Sequence, residues 1–193
     1  VEIKSKFFTE RSFVDEDLEI ETSSYEGNVI KPEVKNTQEV FEEVQTTKTF
    51  LLSDKAGEGK STTFRNFASK LKQQHPTKWI QFLDLKKHYK AFAKTEKFDN
   101  LDELNDFLSL KLLNLNDFES QIFLDLFESS NVVFLYDGVD EISPTYNDLI
   151  LNLMEKVKSF TENFQFVSTR PQHSLSIQER LKVKAHKFVP LNN

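Results

Sequence analysis

The 193-residue chain has no cysteine. That excludes a disulfide framework and a thiolate metal site, and it makes a reducing compartment, the cytoplasm, the natural setting. Glycine and proline are scarce, at four and five residues, which argues against a loop-rich or low-complexity chain. No apolar run is long enough to span a bilayer, and the opening VEIKSKFF has no signal-peptide core. A basic surplus is missing as well: 25 Lys and Arg stand against 31 Asp and Glu, a net charge of −6. A general nucleic-acid surface wants a basic face, so that class is set aside. His75, His88, His173 and His186 are scattered and match no zinc spacing. What the chain has in excess is phenylalanine, nineteen residues. They are expected to fill core positions that Leu or Ile take elsewhere. The length suits one ordinary domain with a substantial core.

The most informative stretch is Thr49–Thr63, TFLLSDKAGEGKSTT. An apolar strand runs into a glycine-bearing loop that ends in Gly-Lys-Ser, with a helix behind it. Such a loop turns its backbone N–H groups toward phosphate oxygens, and the positive end of the helix dipole favours the same anion. The loop residues Asp54, Lys55, Ala56, Gly57, Glu58, Gly59, Lys60, Ser61 and Thr62 are therefore expected to hold a nucleotide. Lys60 would reach the β- and γ-phosphates, and the Ser61 hydroxyl would help hold Mg²⁺. The full pattern asks for Gly where this chain has Asp54. Asp visits left-handed backbone more readily than most residues, so the turn can survive. Two carboxylates near a polyphosphate weaken binding unless they point away from it.

The second half of such a site lies at Asn131–Pro144, NVVFLYDGVDEISP. Val132 to Tyr136 is a short run of strand-formers, suited to a central parallel strand buried on both faces. It ends in Asp137, Asp140 and Glu141. Ligands of open α/β sheets bind beyond the carboxyl ends of the strands. Asp137 is assigned to the metal, and Glu141 or Asp140 to water.

These residues carry a family resemblance. YDGVDEI resembles the extended acidic motif of NACHT domains, and DKAGEGKST is similar to their phosphate loop from Gly57 onward. FQFVSTRP, Phe164–Pro171, resembles the NACHT strand that ends in Ser/Thr-Arg-Pro, with Arg170 at the nucleotide-sensing position. The resemblance covers roughly Phe50 to Leu191. NACHT proteins belong to the signalling NTPases with numerous domains, the STAND class. The resemblance implies ATP and Mg²⁺ as cofactors and slow hydrolysis. It also implies self-association through a longer protein, with effector and sensor modules outside this stretch. By analogy the chain is an α/β three-layer P-loop NTPase fold. Its five-stranded parallel sheet would have the order 5-1-4-3-2, counting strands along the chain, with helices on both faces. The start without Met and the stop at VPLNN lead to the expectation of a fragment.

The pattern along the chain agrees with an α/β sheet. Residues 1–45 read as a segment leading into the NTPase domain, and 46–193 as its core. Val14–Glu21 is an edge strand or a solvated loop. By the resemblance, Val29–Pro32 and Val40–Val44 would lie near the nucleotide base. Phe64, Phe67, Ala68 and Leu71 recur at helical spacing, and His75-Pro76 ends that helix. Trp79–Leu85 is the second strand. Lys86–Lys97 is a basic surface loop or short helix. Asn100 with Glu103, and Asn116 with Glu119, announce two capping boxes. Leu101, Leu104, Phe107, Leu108 and Leu112 stripe the first of these helices, and Phe118, Ile122, Leu126 and Phe127 the second. Ser143-Pro144 starts another helix, buried along Leu149, Leu153, Val157 and Phe160. Phe164–Thr169 is a strand, Ser174–Leu181 a helix and Val183–Val189 the last strand.

Three functions compete. The first is a nucleotide-controlled switch, with Arg170 sensing the γ-phosphate. The second is a P-loop kinase for a small hydroxylated substrate, with Lys86–Lys97 as its basic lid; DGVDEI suits water activation better. The third is a degenerate module used only for protein–protein interaction, motivated by Asp54. A GTPase lacks support because no Asn-Lys-x-Asp guanine motif is present.

Overall fold

A computed structural model describes residues 9–16, 33–142 and 144–190. The elements run β1 (Phe13–Asp15), α1 (Thr37–Thr47), β2 (Thr49–Ser53), α2 (Lys60–Gln74), β3 (Trp79–Asp84), α3 (Tyr89–Phe92), α4 (Leu101–Asp106), α5 (Asp117–Glu128), β4 (Val132–Asp137), α6 (Asn147–Phe160), β5 (Phe164–Thr169), α7 (Pro171–Leu181) and β6 (Ala185–Phe188). Short 3₁₀ turns cover Leu85–His88, Val139–Glu141 and Pro144–Tyr146, and α4 widens into a π-helical stretch over Phe107–Leu112.

The strands form one sheet in the order β1-β6-β2-β5-β4-β3. β1 is antiparallel to β6, and the remaining pairs are parallel. The expected five-stranded, wholly parallel sheet in the order 5-1-4-3-2 is corrected on these points. Among the described residues there are six strands, the sheet is mixed, and its order across differs. The cause is the added N-terminal edge strand, which also shifts the numbering. The five parallel strands follow one another as β6-β2-β5-β4-β3. Phe13, fully buried, supplies the apolar anchor of this edge, and its backbone exchanges two hydrogen bonds with Lys35. Leu18, Ile20 and Val29–Pro32 lie outside the described residues.

Period-2 alternation divides the strands between two cores. Phe50 and Leu52 of β2, with Val133 and Leu135 of β4, join Phe13, Phe41, Phe64, Phe67 and Phe166 under α1 and α2. Leu51, Phe134, Tyr136 and Val167 face the other way, toward α4, α5, α6 and α7. Two helical layers thus sandwich the sheet. Twelve residues are the largest fully buried side chains, and eleven of these are phenylalanines. That answers the composition: the nineteen Phe are mainly core. Val40, Phe41 and Val44 belong to the first of these cores.

Several local expectations need correction. On α5 the buried face is Ser120, Phe123 and Phe127, whereas Phe118 and Ile122 are exposed. The apolar stripe is real, but the helix is rotated so that Phe123 meets Trp79 and Phe134. Phe160, in the last turn of α6, is also exposed. α6 begins at Asn147 behind a 3₁₀ turn, not at Ser143-Pro144, and Ser143 lies outside the described residues. Asn116 and Glu119 form the reciprocal box. Asn100 accepts from the Glu103 N–H, but the Glu103 carboxylate accepts from Asp99 N–H, one residue before the cap. α1 carries a further box, Asn36 with Glu39, that the sequence reading passed over. Lys86–Lys97 is no free lid, because Leu85 and Phe92 are buried in the core on either side of its turns. No helix among the described residues is long and apolar enough to cross a membrane.

The edge strand is held by a buried histidine. His186 Nε2 lies 3.2 Å from Asp15, 3.5 Å from Glu43 and 3.4 Å from the Lys35 ammonium, and its ring stacks on Phe50. Burial pushes this imidazole below its ordinary 6.5. Glu43 and Asp15 oppose the shift and Lys35 adds to it. The folded state therefore keeps His186 neutral, while the unfolded chain takes up a proton near 6.5. Below that pH the unfolded state binds more protons, so stability is lost as pH falls. His88 is shifted in the same sense. Urea midpoints taken on either side of this pH are expected to drop on acidification, and less so in His186→Phe. Equal midpoints would refute the account.

Candidate functional site

The loop after β2 behaves as its spelling requires. Within it only Gly57 and Gly59 have positive φ, 87° and 92°. A Cβ at either position would meet nothing within 4 Å. Backbone conformation, rather than space, is what demands glycine there. Gly59 then caps α2, which starts at Lys60. Lys55, Ala56, Gly57, Glu58, Ser61 and Thr62 are exposed, so the loop lies at the surface. Glu58 leans out to Arg11 at 3.7 Å.

Lys60 curls back across the loop and donates to the carbonyls of Asp54 and Lys55. Burial holds its ammonium below lysine's ordinary value. The carboxylates of Asp140, Asp54 and Asp137 pull it back up, and Arg170 adds to the depression. Residues from three separate stretches therefore act on one ammonium. Asp137, at the end of β4, is 7% exposed. Its Oδ1 accepts from the Ser168 hydroxyl at 2.8 Å, and that hydroxyl in turn accepts from Gly138 N–H at 2.9 Å. Asp140 pairs with Arg170 Nε at 2.8 Å, and the Asp140 side chain is nearly buried while Arg170 is more open. Glu141 is exposed and turns back against Gly138. The structure thus pairs Asp140 with Arg170, lets the charges of Asp137, Asp140 and Arg170 act on Lys60, and leaves Glu141 at the margin. Arg170 also sits in the ion pair that a purely structural reading of it would require.

Asp54 differs from the sequence expectation. It is not at a left-handed position. Its Oδ1 accepts from Lys55 N–H at 2.7 Å and its Oδ2 from Phe188 N–H at 2.9 Å. The carboxylate is a strut between the phosphate loop and β6. Asp54→Ala leaves two N–H donors unpaired, and each such loss costs about 1–3 kcal/mol where the donor is buried. The half-buried position places the combined effect near the low end, about 2 kcal/mol. Chemical denaturation of Asp54→Ala and Asp54→Asn measures it, and an Ala variant as stable as the parent would contradict the strut.

Four further residues escaped the sequence reading. Ser168 orients Asp137. Asp84 ends β3 directly beside Asp137 in the parallel register. Glu16 accepts from the Ser53 hydroxyl at 2.6 Å. Arg11 stacks over Phe188 at 4.3 Å while reaching Glu58. Ser168 lies in the Ser-Thr-Arg-Pro spelling and Asp84 at a strand's carboxyl end, both usable signals. Nothing in the sequence marks Glu16 or Arg11, whose positions depend on β1 folding back along β6.

The family model of the NACHT domain matches residues 48–191. A search of curated proteins gives no match. Among solved structures, the chain is similar to EssC (ATPases 2 and 3) from Geobacillus thermodenitrificans, at 16% identity and a TM-score of 0.40. That match covers 79% of this chain and 30% of the other. An open, mostly parallel α/β sheet carries a glycine loop at the carboxyl end of β2 and the acidic strand two places away. With the family match over most of its length, this chain belongs to the NACHT domain family, a nucleotide-binding P-loop module.

Proposed function

We propose that the chain binds ATP with Mg²⁺ and serves as a nucleotide-dependent conformational switch with slow hydrolysis. The observation that carries this reading is the placement on one sheet edge of the glycine loop with Lys60 after β2, Asp137 at the end of β4 two strands away, and the Asp140–Arg170 pair after β4 and β5. A lysine, an arginine and a metal-type carboxylate beyond the carboxyl ends of parallel strands suit a polyanion with a metal ion.

The residues fit the cofactor. The exposed loop offers N–H donors at the start of α2, which suits phosphate. Ser61 and Asp137 offer oxygen ligands, the donor type Mg²⁺ selects. Asp137 Oδ2 has no hydrogen-bond partner among the described residues, while Ser168 fixes the other oxygen. The ion's contribution is to neutralise phosphate charge. Lys60 supplies a second positive group to the β- and γ-phosphates. Of the two acids, Asp140 is the one paired with Arg170, while the exposed Glu141 turns toward Gly138, so water orientation is assigned to Asp140.

Arg170 supplies the switch. Its guanidinium is held by Asp140 and leads directly into α7 through Pro171. A terminal phosphate would compete with Asp140 for that guanidinium. A contact made in one nucleotide state and not the other shifts a conformational equilibrium by its differential energy. Oligomerisation in a longer protein would follow from that shift.

Isothermal titration of the chain with ATP-Mg²⁺ tests the reading. Saturable binding is expected, weakened when Mg²⁺ is chelated. In Asp137→Asn the response to Mg²⁺ is expected to disappear while Mg²⁺-free ATP binds as before. Absence of heat at near-millimolar nucleotide would favour the interaction-only module instead.

A further inference from the structure

A second site lies at the other end of the sheet. The phosphate loop follows the carboxyl end of β2, whereas Lys48 precedes β2, Lys78 precedes β3 and Phe164 opens β5. Between α1 and α2 at that amino end is a cleft of about 540 Å³. Phe164, half-buried, is its most open apolar wall, and the buried Phe41, Val44, Leu71 and Phe166 form its floor. The size falls in the range of small-molecule sites. A hydrogen bond from Gln74 to Gln38 at 3.4 Å joins the two helical walls.

The charged groups lining the cleft are the cations Lys48 and Lys78, beside the neutral amides of Gln38, Gln45 and Gln74 and the ring of His75. Lys48 and Lys78 both stand over the ring of Phe164, at 5.3 and 4.9 Å. One carboxylate, the exposed Glu162, pairs with Lys48 at 2.9 Å. Lys78 has no carboxylate partner among the described residues and reaches only the Ser130 carbonyl, at 3.4 Å. Burial and the nearby Lys48 charge push its ammonium below the ordinary value. A half-buried cation without a counter-ion, beside a second cation and an aromatic wall, is matched by an anion with an apolar body.

We propose that this cleft binds a small apolar carboxylate, an aryl or short acyl acid. Its body lies against Phe164 and Leu71, and its carboxylate meets Lys78. The site shares no residue with the phosphate loop, and Phe41 and Val44, which the resemblance would put near the nucleotide base, line this cleft instead.

The test uses 2-naphthoate, followed by its fluorescence on the intact chain, with neutral 2-naphthamide as the control. Saturable naphthoate binding is expected, at least about tenfold tighter than the amide, a difference of one charge-assisted contact. Lys78→Gln is expected to erase that difference and Lys78→Arg to restore most of it. Lys60→Ala is expected to leave naphthoate binding unchanged. Thermal unfolding of each variant confirms that it folds. Equal affinity for acid and amide would overturn the proposal. So would an unaltered Lys78→Gln, displacement by ATP-Mg²⁺, or no saturation up to about 1 mM, the limit of weak binding.

Discussion

Lys60→Ala is expected to weaken ATP-Mg²⁺ binding by at least about a hundredfold. Hydrogen bonds between charged groups contribute about 1.5–3 kcal/mol each, and in the proposed complex the lysine would reach two phosphates. Their sum is about 3–6 kcal/mol, and each 1.4 kcal/mol is about tenfold. Lys60 also bridges the carbonyls of Asp54 and Lys55, so the substitution loosens the loop itself. Lys60→Arg separates the two effects, because it keeps the charge but cannot repeat the compact ammonium geometry. Calorimetry on the three proteins decides the matter. A Lys60→Ala chain that binds within threefold of the parent would remove the lysine from the site.

The largest stability effect is expected at Phe67. It is fully buried at the centre of a ring cluster, 5.1 Å from Phe41, 5.7 Å from Phe166 and 5.8 Å from Phe13. The Phe41 and Phe166 rings meet it close to edge-on, the preferred geometry for aromatic pairs. Truncating a buried Phe to Ala costs about 3–5 kcal/mol, because the cavity relaxes only in part. Against a total of about 5–15 kcal/mol, that is a large fraction. For a chain of this size Tm is expected to fall by roughly 8–16 °C. Phe67→Leu keeps most of the volume and is expected to lose less than half as much. Phe67 and Lys60 share α2, two turns apart. Phe67→Ala is therefore also expected to blunt nucleotide binding, since the helix that presents the loop loses its anchor. A denaturation midpoint unchanged from the parent would mean that the ring cluster does not hold this face of the sheet.

What could be read before folding was whatever has a short period or a fixed spelling. Gly57, Gly59 and Lys60 announce a phosphate loop because two positive φ values and a helix start are needed within a few residues. Five strands were legible as short apolar runs, and the core stripe Phe64, Phe67 and Leu71 as a helical repeat. Asp54 was read with the wrong physics. Its spelling breaks the glycine pattern, but its carboxylate acts on Phe188, more than a hundred residues away. The exposed Phe118 and Ile122 were misread for a related reason: a periodic stripe says that one face is apolar, not how far the helix is rotated toward the sheet.

By itself the amino-acid sequence determined the local chemistry: a loop for phosphate, an acidic strand end, an arginine before a helix, and NACHT membership written in those three spellings. Only the tertiary structure decided which groups meet. It brought Asp140 to Arg170, Ser168 to Asp137 and Asp54 to β6. It also added β1 to the sheet edge, over a buried His186. Local order follows from backbone dihedrals and side-chain periodicity, which neighbours in the chain already specify. Contacts between distant segments follow from burying two faces of one sheet at once, and no single segment encodes that constraint.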